Sequence, residues 1–143
     1  MIYKLSTISF GLVILLVLNS CWNNKNERPD NAIDTGTTFI RASLDGDFKT
    51  AENLILPDSQ NQQLFDSYKR YYDHLSKEQK DSYKKASYEI NKLAEQTDSS
   101  TLINYSNSYM KKPMEIRVVQ KDKLWFVDFK YAYTDQPQKN IAE

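Results

Sequence analysis

The chain has 143 residues, with 19 Lys plus Arg against 19 Asp plus Glu and a formal net charge of zero. That balance excludes both the basic footprint of a nucleic-acid binder and a polybasic membrane patch. The length suffices for one domain core rather than two, and a single cysteine, Cys21, rules out an intrachain disulfide.

Residues 1–20 have the parts of a secretory signal: a basic start at Lys4, an apolar run of 11 residues from Ile8 to Leu18, and a small residue, Ser20, before the only thiol. As a helix that run rises only ~16 Å, too short for a hydrocarbon core of ~30 Å. The polar stretch from Asn19 to Arg28 argues against an uncleaved anchor. Leu18-Asn19-Ser20 is a poor Ala-x-Ala site for a soluble secreted protein. Leu18-Asn19-Ser20-Cys21 instead resembles the bacterial lipoprotein signal, with polar Asn19 its one unusual residue. The resemblance implies cleavage between Ser20 and Cys21 and lipidation of Cys21, whose thiolate is the nucleophile that takes the diacylglycerol group. Two or three acyl chains, each buried methylene worth ~0.8 kcal/mol, then give a durable membrane anchor. Cleavage removes one base, Lys4, and no acid, which leaves a formal net charge of −1.

Residues 21–33 read as the lipidated Cys and a flexible, polar tether containing Pro29. Residues 34–134 read as an α+β domain, and 135–143 as a polar C-terminal tail. The first helix is predicted from Asp34 or Thr35 to Leu44, stopped by Asp45-Gly46. Asp47 caps a short second helix that buries Phe48, Ala51, Leu54 and Ile55 and ends at Pro57. Ser59 and Gln62 have capping-box spacing for a third helix, whose apolar face is Leu64, Phe65, Tyr68, Tyr71, Tyr72 and Leu75. Ser76 and Gln79 repeat that spacing for a fourth helix over Lys77 to Lys85.

From Ala86 the apolar period changes to two. Tyr88 and Ile90, then Ile103, Tyr105 and Tyr109, then Met114, Ile116 and Val118, then Trp125, Val127, Phe129 and Tyr131 read as four strands. Turns at Asp98-Ser99-Ser100, Lys111-Lys112-Pro113 and Lys121-Asp122-Lys123 make them an antiparallel meander. Leu93 is out of phase, so a bulge is expected around Asn91-Lys92. The helices are expected to bury Tyr68, Tyr72 and Leu75 on the sheet face carrying Trp125, Val127 and Phe129.

Thr38-Phe39-Ile40-Arg41-Ala42, Gly46-Asp47-Phe48-Lys49-Thr50-Ala51 and Lys123-Leu124-Trp125-Phe126-Val127 stand in an order that resembles the nuclear transport factor 2-like superfamily. More narrowly, the pattern resembles a domain of unknown function common in small lipoproteins of Bacteroidota. The resemblance covers residues 35–133. It implies a cone in which a curved four-stranded antiparallel sheet wraps N-terminal helices, often with a pocket at the wide end. It implies no single function, since the superfamily includes isomerases, dehydratases, transport adaptors and assembly domains.

Tyr68, Tyr72, Tyr105, Trp125 and Phe129 are the candidate pocket-lining residues. Tyr71, Tyr83, Tyr88, Tyr105, Tyr109, Tyr131 and Tyr133 exceed what a small core holds, and some are expected in a cavity or an exposed patch. No catalytic motif, metal-ligand spacing or cofactor loop is present. Tyr72-Asp73-His74 with Tyr68 is the nearest candidate for an enzyme of the isomerase or dehydratase type. However, Asp73 and His74 step off the Tyr68 face, Asp128 lies in the strand phase opposite Trp125 and Phe129, and Glu89 opposes Tyr88 and Ile90. The reading is therefore a non-enzymatic domain that binds an envelope protein or a small ligand, with an inhibitory or immunity role as a further option. Its expected partners are the membrane, through lipid on Cys21, and that protein or ligand; no nucleic acid and no cofactor are expected. Trp22 in place of Asp after the Cys, and Asn23-Asn24-Lys25-Asn26 in place of an acidic cluster, predict the outer membrane with the domain facing the periplasm.

Overall fold

Asn31, rather than Asp34 or Thr35, opens the first helix: its extended backbone turns into α1 (Ala32–Asp45) while its side chain accepts from the Asp34 N–H at 2.8 Å. The computed structural model describes residues 28–134; Ser20, Cys21 and the tail lie outside them. After α1 come α2 (Phe48–Asn53), α3 (Ser59–Asp73) and α4 (Lys77–Lys85). Four strands follow, β1 (Tyr88–Thr97), β2 (Ser100–Asn107), β3 (Pro113–Lys121) and β4 (Leu124–Asp128), then a single turn, α5 (Tyr131–Thr134). The strands form one open antiparallel sheet in the order β1-β2-β3-β4, and the class is α+β.

Gly46 ends α1 in the left-handed region at φ 72, where glycine carries no Cβ penalty. Asp47 then caps α2, its carboxylate accepting from the Thr50 N–H at 3.2 Å and the Thr50 hydroxyl at 2.6 Å. α2 ends before Pro57, because Leu54 to Leu56 become a short strand-like segment. Val127 N–H donates to Leu54 O at 2.7 Å and Leu56 N–H donates to Val127 O at 3.0 Å, which covers the free side of β4. The cap of α3 is Asp58, not Ser59. Gln62, freed from the expected box, bonds Glu52 of α2 instead. The Ser76–Gln79 capping box of α4 forms as read.

α1 is the central helix, packed on β2, β3 and β4 on one side and on α2 and α4 on others. It fits closely because of Gly36, where a Cβ would collide with Ile103 Cδ1 and approach Val118 Cγ2 to 3.2 Å. Ile103 and Val118 are fully buried and have no room to yield. α1 therefore takes the sheet face that the sequence assigned to Tyr68, Tyr72 and Leu75. α3 reaches the core through Phe65, which meets Phe39 at 6.1 Å, Phe48 at 6.0 Å and Phe129 at 5.4 Å between ring centroids. The buried line of α3 is Asn61, Phe65 and Tyr72, so Tyr71, expected on the apolar face, projects into solvent at 56% exposure.

The register of β1 against β2 shifts between Ile90 and Lys92, which is the expected bulge, and again between Glu95 and Thr97. Lys121-Asp122-Lys123-Leu124 closes a two-residue hairpin with φ 51 and 65 at Asp122 and Lys123. Tyr109 falls in the turn after β2 rather than in a strand, and Tyr131 starts α5 rather than extending β4. α5 folds back on the sheet face away from α1, where the Arg117 guanidinium lies 4.6 Å over the Tyr131 ring and Tyr131 donates to Glu115 at 3.0 Å.

Two outcomes follow for stability. Gly36→Ala forces overpacking against Ile103 and Val118, and urea denaturation is expected to show a loss of about 1–3 kcal/mol. Thr50 hydrogen bonds hold the Asp47 carboxyl below the usual carboxylate range. Asp47→Ala is therefore expected to cost about 1 kcal/mol at pH 7. Because the folded pKa is depressed, that stability is present above the unfolded value of ~3.9 and is lost as the pH falls through the folded pKa. Denaturation curves of wild type and variant should converge in that acid window.

Candidate functional site

Asn107 sits at the end of β2, 6% exposed, and its side-chain oxygen accepts from Tyr109 N–H at 3.0 Å and Met110 N–H at 2.7 Å. That local turn pins the start of the β2–β3 connection and leads into Lys111 at φ 53, an uncommon conformation for a residue with a Cβ. Behind it Tyr83 packs on Tyr109 with ring centroids 4.2 Å apart, and the Tyr83 hydroxyl meets Met110 Sδ at 3.6 Å. Burial, with Tyr71 and Tyr109 alongside, pushes the Tyr83 hydroxyl up to about 12.

In front of this turn lies an open groove of about 420 Å³, walled by the start of β1, the end of β2 and the Lys111-Lys112-Pro113 segment. Its volume falls in the ~300–1,000 Å³ range of small-molecule sites. Two serines in its wall are preset by backbone and bulge. Ser108 Oγ accepts from Ser87 N–H at 3.1 Å, and Ser106 Oγ accepts from Asn91 Nδ2 at 2.7 Å.

A second polar constellation lies where β3, β4, α3 and α5 meet. Asp128 is only 4% exposed and accepts from Arg117 Nη2 at 2.5 Å, from Arg117 Nε at 3.1 Å and from Asn61 Nδ2 at 3.1 Å. Lys130 Nζ adds a charge at 3.9 Å. Asn61, fully buried, also donates to Asp58 at 2.7 Å and accepts from Lys130 N–H at 2.8 Å. Burial works against the Asp58 carboxylate, but hydrogen bonds from Asn61 and the charge of Lys130 outweigh it and keep its carboxyl below the usual range. Asp128 does point away from the α1 side, as its strand phase requires. It is nevertheless buried rather than exposed, because Arg117 and the start of α3 cover it. The carboxylate ties β4 to β3 through Arg117 and to α3 through Asn61.

The candidate pocket residues fall in different places. Tyr68, Tyr72 and Phe129 join Phe48 and Phe65 in one ring cluster, with Phe48–Tyr72 at 4.9 Å and Tyr68–Phe129 at 5.9 Å. Trp125 and Tyr105 are half-buried at the core margin. None of the five lines the groove at Lys111. Of the other tyrosines, Tyr83 and Tyr131 are buried and Tyr88 and Tyr109 half-buried, so the core and its margin hold more rings than the sequence suggested. Asp73, His74 and Glu89 are exposed. The His74 ring Nδ1 lies 2.6 Å from Arg70 O at the end of α3.

Among the described residues, no cluster of three or more His, Cys, Asp or Glu could hold a metal ion, and no helix is long and apolar enough to cross a membrane. The chain matches no family model, no curated protein and no solved structure.

Sequence reasoning passed over the groove because Lys111-Lys112-Pro113 was read only as a turn. Ser106-Asn107-Ser108 was its local signal, an Asn two residues ahead of the chain reversal that could cap it. Asp128→Ala removes the acceptor of two Arg117 bonds and of one Asn61 bond, and chemical denaturation is expected to show a loss of about 3 kcal/mol.

Proposed function

We propose that the protein is a bacterial outer-membrane lipoprotein, held by acyl chains on Cys21 and facing the periplasm, whose domain binds a small ligand or an envelope protein without catalysing a reaction. We take its architecture to be nuclear transport factor 2-like, the sheet curving as a cone around α1. The signal-like residues 1–20, the small Ser20 at the cut and the single thiol support the anchor.

The observation that carries the reading further is the seat of Arg28. It donates to Asn53 O and Trp125 O, both at 2.7 Å, and lies 4.2 Å over the Phe126 ring. Arg28 thus belongs to the domain rather than to a free tether. Only seven residue steps separate it from Cys21, a reach of ~25 Å at full extension. On this reading the β4 edge faces the bilayer, while β1 and the Lys111 groove lie across the sheet from it. A groove so placed stays open to ligands from the periplasm.

Two measurements test the reading together. Cys21→Ser should abolish labelling by fatty acid and release the domain from the membrane fraction. Native mass spectrometry of the mature protein from its own envelope should find a retained small mass or partner. Unchanged membrane sedimentation of the variant overturns the anchor, and turnover of a keto or hydroxy substrate that is lost in Asp73→Asn overturns the non-enzymatic role.

A further inference from the structure

We infer that the groove between the β1–β2 end and the β2–β3 turn is a binding site for an acidic saccharide, a sugar carrying a carboxylate. This rests on the binding-domain reading and gives it a place and a ligand class.

The side chains of the groove offer mostly donors. A serine oxygen has one proton to give and two lone pairs to fill. Ser106 Oγ and Ser108 Oγ already accept from Asn91 Nδ2 and from the Ser87 N–H, so the hydroxyl protons remain for a ligand. Lys111 and Lys112 are exposed, and neither ammonium has an ion pair among the described residues. The wall is thus rich in donors and suits a ligand rich in acceptors, with an anionic group near the two lysines. Glu89, also in the wall and exposed, supplies the one strong acceptor. A small inorganic anion brings its whole charge against Glu89 as well as the lysines, whereas a saccharide sets its carboxylate at the lysines and offers a neutral hydroxyl to Glu89. Tyr88 contributes its backbone side to the wall, while its ring packs against the core on the opposite face of β1.

The turn and the two serines are also held in place before any ligand arrives. Asn107 fixes the turn through two backbone N–H groups, Lys111 sits in the left-handed region, and the bulge at Asn91 aims an amide at Ser106. Backbone strain of this kind at an exposed polar groove accords with a site whose geometry is set in advance.

The test is a titration of the mature chain, followed by backbone amide shifts, with sodium glucuronate, glucose, glucose 6-phosphate and inorganic phosphate in parallel. Saturable shifts of Ser106, Ser108, Lys111 and Lys112 with glucuronate are expected. Glucose and inorganic phosphate should each bind at least tenfold more weakly. Glucose 6-phosphate separates a carboxylate preference from a general acidic-sugar preference, and binding tighter than glucuronate overturns the carboxylate assignment. Paired Lys111→Ala and Lys112→Ala substitutions, both at exposed positions, should weaken glucuronate at least tenfold while leaving the urea midpoint unchanged. Absence of saturable shifts, equal binding of glucose, or full binding by the paired variant overturns the inference. Its failure leaves the broader binding reading to the envelope mass measurement, which does not depend on this groove.

Discussion

The close seat of α1 on the sheet governs the rest of the domain. Gly36 lets the helix backbone approach Ile103, Ile116 and Val118, the central residues of β2 and β3. Once α1 occupies that face, α3 cannot lie there too. It packs instead through Phe65 against Phe39 of α1, Phe48 of α2 and Phe129 beyond β4. The ring cluster follows from this arrangement, and so does the exposure of Tyr71. Phe39, Ile40, Ala42 and Leu44 are all buried because α1 has partners on several sides.

The two faces of the sheet consequently do different work. The α1 face is a hydrophobic core. The other face is polar where Ser106 and Glu89 lie and is clamped near its β4 side by Asp128, Arg117 and Asn61. Asp128 is a buried carboxylate with donors from two neighbouring elements. Its partners neutralise and saturate it, and a charge so held stabilises a junction between elements. The groove differs from that junction in having donors left over.

Local chemistry was legible in the sequence. The Ser76–Gln79 box, the Asp47 cap, the bulge beside Asn91 and the order of four strands each depend on neighbours within a few residues, and each is present in the fold. Tertiary substitutions were not legible. Periodicity placed Tyr71 on the apolar face of α3 and left Asn61 off it, yet Tyr71 is solvated and Asn61 is sealed between Asp58 and Asp128, 67 residues further along the chain. The burial of Asp128 depends on α3, and the docking of Arg28 depends on Asn53 and Trp125. No window of consecutive residues carries either fact. Of the candidate site, the proposed anchor at Cys21 rests on its sequence neighbours alone, whereas the groove required β1 and β2 to be paired in register.

Native-state hydrogen exchange tests the central role of α1 most directly. The slowest amides, exchanging only through global unfolding, should be those of Phe39, Ile40 and Ala42 in α1 together with Ile103, Ile116 and Val118 in the sheet. Rapid exchange throughout α1, with protection concentrated in α3 or β1 instead, would contradict the account.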